Sequence, residues 1–112
     1  MKKIEAIIRS EKLDELREAL DAQGFSGMTV TDVRGRGKQK GITLEWRVGE
    51  YRVEFMPKIK VEIVVAANNL EKVINIVLAV CSTGNIGDGK IFISDVLDVI
   101  RISSKERGEG VL

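Results

Sequence analysis

The residues able to do chemistry gather in two glycine-rich stretches. In Gly84-Asn85-Ile86-Gly87-Asp88-Gly89-Lys90, glycines at 84, 87 and 89 free the backbone N–H groups to wrap an anion. Lys90 adds a fixed positive charge beside them. The stretch fits the G-x-x-x-x-G-K part of a Walker A loop, but Ile91 stands where Ser or Thr would hold magnesium. Its setting is also inverted: an apolar helical pattern precedes it and a strand pattern follows, whereas a P-loop runs strand, loop, helix. It is therefore a phosphate-loop candidate of a different kind.

The second stretch, Gly35-Arg36-Gly37-Lys38-Gln39-Lys40-Gly41, misses the dinucleotide fingerprint by one residue and has no helix after it. Arg34, Arg36, Lys38 and Lys40 make it strongly basic. Alone it reads better as a solvated basic loop than as a phosphate site. Two anion-seeking glycine loops in one small domain point to a nucleotide. Arg101 could also reach phosphate, or could simply be a solubilising edge arginine.

Behind these loops stand elements legible from periodicity. Ile4, Ala6 and Ile8 alternate through residues 2–9, a strand. Ser10 fits as an N-cap, Leu13, Leu16 and Leu20 recur at helical spacing, and Gly24 closes that helix as its C′ residue. Met28 to Arg34 reads as a second strand. Residues 35–57 bury little and read as a partly β-like arm; a segment of that kind in a small domain is usually functional. Trp46 and Tyr51 fall in it, outside any predicted strand or helix, either to meet a partner or to fold back. Ile59 to Ala66 is a strand with Ile59, Val61, Ile63 and Val65 on one face. Asn68 and Glu71 form a capping-box spacing before a helix whose apolar face holds Leu70, Val73, Ile74, Val77, Leu78 and Cys81. Ile91 to Ser94 follows as a strand and Val96 to Ile102 as a short edge strand. The polar tail, 103–112, reads as mobile.

The two halves repeat one plan of strand, helix, glycine turn and strand. A doubled βαβ unit builds an α+β, ferredoxin-like fold: a four-stranded antiparallel sheet with both helices on one face. Ile4, Ile63 and Ile93, with apolar neighbours on both faces of their strands, predict an oligomer covering the other face.

Composition narrows the function. A chain of 112 residues suits one domain, with 44% hydrophobic and 31% charged residues. A net charge of +1 gives no bulk field for nucleic acid or a membrane surface. The absence of histidine removes the commonest general base and metal ligand. The single cysteine, Cys81, excludes an internal disulfide and falls at a buried helical position, where an inert thiol is expected. No stretch resembles a signal peptide or a bilayer span, so a cytoplasmic location is expected.

Several segments together resemble the PII nitrogen-regulatory signal-transduction family. They are Met1 to Ile8, Gly27-Met28-Thr29-Val30, Gln39-Lys40-Gly41, Lys58 to Val64, and above all Thr83-Gly84-x-Ile86-Gly87-Asp88-Gly89-Lys90-Ile91-Phe92. The similarity runs from residue 1 to about 102. It implies a single domain forming a homotrimer with nucleotide sites in clefts between subunits. ATP or ADP would be held by Gly87, Asp88, Gly89, Lys90, Lys38 and Arg101, with Gly35 and Gly37 in the second glycine stretch beside them. Gly27, Thr29, Glu62 and Val64 would meet the adenine end. With Mg2+ and ATP, 2-oxoglutarate would join the site, Gln39 holding the metal and Lys40, Gly41, Lys58 and the Gly87 backbone holding carboxylates. The arm at 37–55 would be the family's T-loop, docking through Trp46 and Tyr51 onto an ammonium transporter, glutamine synthetase or another nitrogen-assimilation enzyme or regulator. A membrane would be met only through a transporter partner.

The sequence departs from the family pattern at Lys38, where arginine is usual, at Ser103, which removes an expected phosphate contact, and at Ser10, where proline is usual. Trp46 takes a tyrosine position and Gly49 a serine phosphorylated in some relatives, while Tyr51 matches a tyrosine uridylylated in others. Two other functions stay open: an adenine-nucleotide adaptor that has lost 2-oxoglutarate sensing, and a slow ATPase on the same site, although Asp88 is the only carboxylate in the loop.

Overall fold

In a computed structural model the chain is described at residues 1–37, 42–46 and 49–112, with the backbone alone for 42–46 and 49–53. The strands are β1 (Lys2–Ile8), β2 (Thr29–Gly35), β3 (Ile42–Trp46), β4 (Gly49–Val53), β5 (Met56–Val65) and β6 (Lys90–Asp95). The helices are α1 (Leu13–Ala22) and α2 (Leu70–Cys81).

Period-two patterning sets the sheet. In β1, Ile4, Ala6 and Ile8 are buried, as are Ile59, Val61, Ile63 and Val65 in β5, with less buried residues between them. The register places Ile4 opposite Ile63 and Ala6 opposite Val61, so both apolar rows share one face. The four-stranded sheet runs β2-β5-β1-β6 with every pair antiparallel, the ferredoxin-like arrangement. Leu16 and Leu20 of α1 and Val73, Val77 and Cys81 of α2 close over that face as one core. Burying a leucine fully contributes about 2 kcal/mol, and Leu16 and Leu20 are both fully buried. Pro57 lies in β5 beyond Ile59, the last β5 residue paired with β1, so its missing N–H costs no bond on that side.

Several boundaries differ from expectation. A 3-10 turn at Ser10–Lys12 precedes α1, and Ser10 makes no capping bond. Ala67–Asn69 does the same before α2, where Asn68 and Glu71 form no capping box. In both places the 3-10 turn carries the chain into the helix. Gly24 does close α1: at φ +85° it lets Gly24 N–H bond Asp21 O and Phe25 N–H bond Leu20 O, the Schellman pattern. Leu78, placed on the apolar face of α2, is half exposed.

Val96 to Ile102 is not a strand. The register puts Asp95 opposite Lys2, and Val96 N–H takes the carbonyl of Met1, so β1 offers no further partner. The tail that follows folds back on this segment. Ile100 bridges Arg107, Gly108 N–H bonds Val99 O, and Arg107 pairs with Asp98. Within the arm, β3 and β4 pair as a hairpin with Trp46 opposite Gly49 and Leu44 opposite Tyr51. Trp46 and Tyr51 therefore lie in strands, contrary to the reading of the sequence.

The face away from the helices is not the apolar surface expected. Lys3 pairs with Glu5 and Glu62 at 3.0 Å each, and Lys60 reaches Glu62 at 3.5 Å. On that face Phe92, opposite Glu5, is exposed, and further apolar exposure lies on Ile93 and on Leu97, Ile100 and Ile102 beyond β6.

Candidate functional site

The loop before β6 is built against the end of β1. Because β6 runs antiparallel beside β1 with Ile7 opposite Lys90, the preceding glycines must turn over the last residues of that strand. Gly89, at φ +97°, approaches so closely that a β-carbon would sit 1.7 Å from Ile7 O. Only glycine fits there. Gly87, at φ +99°, has the Arg9 Nη2 3.3 Å and the Lys58 Nζ 3.6 Å from the place a β-carbon would take.

Asp88 is the hub of the loop. Its Oδ1 accepts from the Thr83 hydroxyl and from Arg9 Nε at 3.0 Å, and its Oδ2 accepts from Thr83 N–H at 2.7 Å and Gly84 N–H at 3.0 Å. These bonds, led by the Thr83 hydroxyl, hold its carboxyl well below the usual carboxylate range. Asn85 N–H donates to the Thr83 hydroxyl at 3.2 Å, tightening the turn. Arg9 Nη2 also donates to Ile86 O at 2.7 Å, and Lys58 Nζ donates to Gly87 O. The bonds that shape the loop thus engage the N–H groups of Thr83, Gly84 and Asn85 and the carbonyls of Ile86 and Gly87. Gly87, Asp88 and Gly89, between these ties and the start of β6 at Lys90, carry the N–H groups that would meet an anion.

The other sequence-predicted residues fall into separate groups. Thr29 pairs with Glu62 across β2 and β5, and Val64 pairs with Lys3. Hydrogen bonding from Lys3 holds Glu62 ionised to lower pH than usual. Gly27 has open space around it. Gly35 lies opposite Met56 and packs on the Lys58 stem, while Gly37 is exposed just beyond β2. An open cleft of ≈ 410 Å3 at the base of the arm is lined by Ser10, Asp32, Val33, Arg34, Pro57 and Lys58. Arg101 turns to the tail, bonding Glu106 and the carbonyl of Val111. Lys38, Gln39, Lys40 and Gly41 lie outside the described residues, as do the side chains of Trp46 and Tyr51. Among the described residues no group of three acidic, Cys or His side chains could hold a metal ion.

The structure brings Lys58 and Gly87 together, as the sequence led us to expect, and adds Arg9, which sequence reasoning missed. The signal was topological: in a doubled βαβ fold the residue after β1 lies beside the loop that leads into β6.

Fold and site define a ferredoxin-like α+β protein with a cationic glycine cradle at one sheet end. The family model for nitrogen regulatory protein P-II matches residues 1–106. Nitrogen regulatory protein P-II of Rhizobium meliloti is 55% identical over 108 residues, covering 96% of each chain. P-II 2 of Methanothermobacter thermautotrophicus is 52% identical over 97% of this chain and 95% of its own. P-II 1 of Escherichia coli is 49% identical over the full length of both. The chain belongs to the nitrogen regulatory protein P-II family.

Proposed function

We infer that this chain is a nitrogen-regulatory signalling protein that senses adenine nucleotide and 2-oxoglutarate and acts on targets through the arm at 37–55. The observation that carries the ligand reading is the convergence of Arg9 and Lys58 on the glycine cradle at 86–89. Backbone N–H groups with adjacent cations suit the phosphates of ATP or ADP. Lys58, which bonds Gly87, would take a carboxylate of 2-oxoglutarate, with Lys40 and Gly41 completing that contact. Magnesium would come with ATP, with Gln39 as its protein ligand. No catalytic role is assigned to any residue.

Thr29, Glu62 and Val64 lie on the sheet and Arg101 lies in the tail turn, apart from the loop bonds. This division supports a site completed by a second subunit. Leu97 and Ile102, each more than nine-tenths exposed, are the surface such an assembly would cover. We therefore propose a homotrimer in the cytoplasm, with a nitrogen-assimilation enzyme, regulator or ammonium transporter as the target.

A slow ATPase is disfavoured by Asp88. Its four bonds stabilise the charged form, which makes it a poor proton acceptor at neutral pH. The adaptor reading rests on Ser103, which supplies no cation. Calorimetry separates these: ATP with Mg2+ should bind and sharply strengthen 2-oxoglutarate binding. Nucleotide binding with no 2-oxoglutarate response would favour the adaptor. Absence of any adenine-nucleotide binding would overturn the ligand reading.

A further inference from the structure

We propose that Arg9 is a positioning residue for the phosphate loop, acting through the Asp88 carboxylate rather than on the ligand; this rests on the nucleotide reading above. Arg9 follows the last residue of β1 in extended conformation, φ −64° and ψ 137°, so the strand fixes where its side chain starts. Its planar guanidinium then spans two acceptors, Asp88 Oδ1 through Nε and Ile86 O through Nη2. A lysine ammonium would carry the charge without the fork. Asp88 in turn holds the start of the loop through both N–H groups of Thr83 and Gly84 and the Thr83 hydroxyl.

The start of the loop, its apex at Ile86 and its end at Asp88 are thus tied to one side chain on β1. Gly89 is tied to the same strand by its approach to Ile7 O. The side chains of Arg9 and Asp88 are only 25% and 22% exposed, and among the described residues Arg9 is the one cation within ion-pair distance of Asp88. Removing Arg9 leaves a largely covered carboxylate uncompensated, and that is a stronger perturbation than loss of a surface pair. Both effects would release Gly87 to Gly89, the residues between the tied start of the loop and β6, from their fixed geometry.

The test is a double-mutant cycle read by ADP titration, with Arg9→Gln, Asp88→Asn and the combined variant. Each single change should weaken ADP binding roughly tenfold, and the double variant should be no weaker than either. Equal loss on removing Arg9 in the presence and absence of Asp88 would overturn the proposal, because it would mean direct contact with the ligand. Hydrogen exchange gives a readout that needs no nucleotide: the amides of Thr83 and Gly84 should exchange about tenfold faster in Arg9→Gln. Unchanged exchange would also overturn it. If wild type binds no ADP, the functional reading fails while the exchange result still judges the role of Arg9. Should Arg9→Gln not fold, Arg9→Lys serves in its place: it keeps the charge without the fork, and its loss of ADP binding should likewise vanish in the Asp88→Asn background.

Discussion

Lys58 donates its ammonium to the carbonyl of Gly87, which joins β5 to the loop before β6. Because β5 begins at Met56, with only Glu54 and Phe55 between it and the β4 strand of the arm, this bond lies close to the arm's base. A ligand that takes Lys58 away from Gly87 alters the loop and the root of the arm in one step. That is the kind of segment-ordering switch by which a small ligand reaches a protein target.

Lys58→Met removes the bond but keeps the aliphatic stem. Loss of a charged donor to a carbonyl of this kind costs about 1–2 kcal/mol. We expect the variant to fold and to bind ADP, while 2-oxoglutarate no longer strengthens ATP binding. Thermal unfolding followed by paired calorimetric titrations checks this; an undiminished 2-oxoglutarate response would contradict it.

Gly89→Ala should be among the most damaging single changes in the chain. The added carbon meets Ile7 O at 1.7 Å, and φ +97° is strained for any side chain. The loop must withdraw from β1, at a cost of about 1–3 kcal/mol. Gly84→Ala, at φ +81° with open space around it, carries the strain without the collision and should cost less. Melting temperatures of the two variants give the comparison directly.

Acid should destabilise the fold through Asp88. Its folded-state carboxyl lies below its ordinary value of 3.8, so the unfolded chain binds the proton more readily. The stabilisation is complete above about that pH and is lost as pH falls below it. Asp98, bonded to Arg107, and Glu62, bonded to Lys3, act in the same direction. Urea unfolding from pH 7 to pH 3 should show a falling midpoint, and Asp88→Asn should flatten that fall.

Burial pushes the Cys81 thiol up to about 11. At pH 8 the thiolate is scarce, so an aromatic disulfide reagent should not label the folded protein and should label it in urea. Because the shift is upward from 9.0, the stability it reflects is present below that pH and lost as pH rises towards 11. Rapid labelling of the folded protein at pH 8 would contradict this assignment.

The elements with strong periodicity were legible in the sequence. The alternation of Ile4, Ala6 and Ile8 and of Ile59 to Val65 set the sheet, and Leu13, Leu16 and Leu20 set α1. What escaped depends on register or on competing local bonds. Ser10 and Asn68 have capping chemistry, yet 3-10 turns carry the chain into both helices. The apolar residues from Val96 to Ile102 look like a strand, but β1 has ended and leaves them no ladder. Trp46 and Tyr51 do lie in alternating runs, Ile42-Thr43-Leu44-Glu45-Trp46 and Tyr51-Arg52-Val53, but the glycines and charges around them read as a loop, and hairpin pairing makes them strand positions. Within the site, the glycines and Lys58 could be read directly. Arg9 could not, because its partners lie 77 and 79 residues away and meet it only through the β1–β6 pairing.

The central claim is that the glycine loop at 84–90 is an anion cradle held ready by the end of β1. Amide chemical shifts during ADP titration test it most directly, since each N–H of the loop reports for itself. The account predicts that Gly87, Asp88 and Gly89 shift most, with Thr83 and Gly84 little changed because Asp88 already holds them. ADP binding with no response from Gly87 to Gly89 would contradict it.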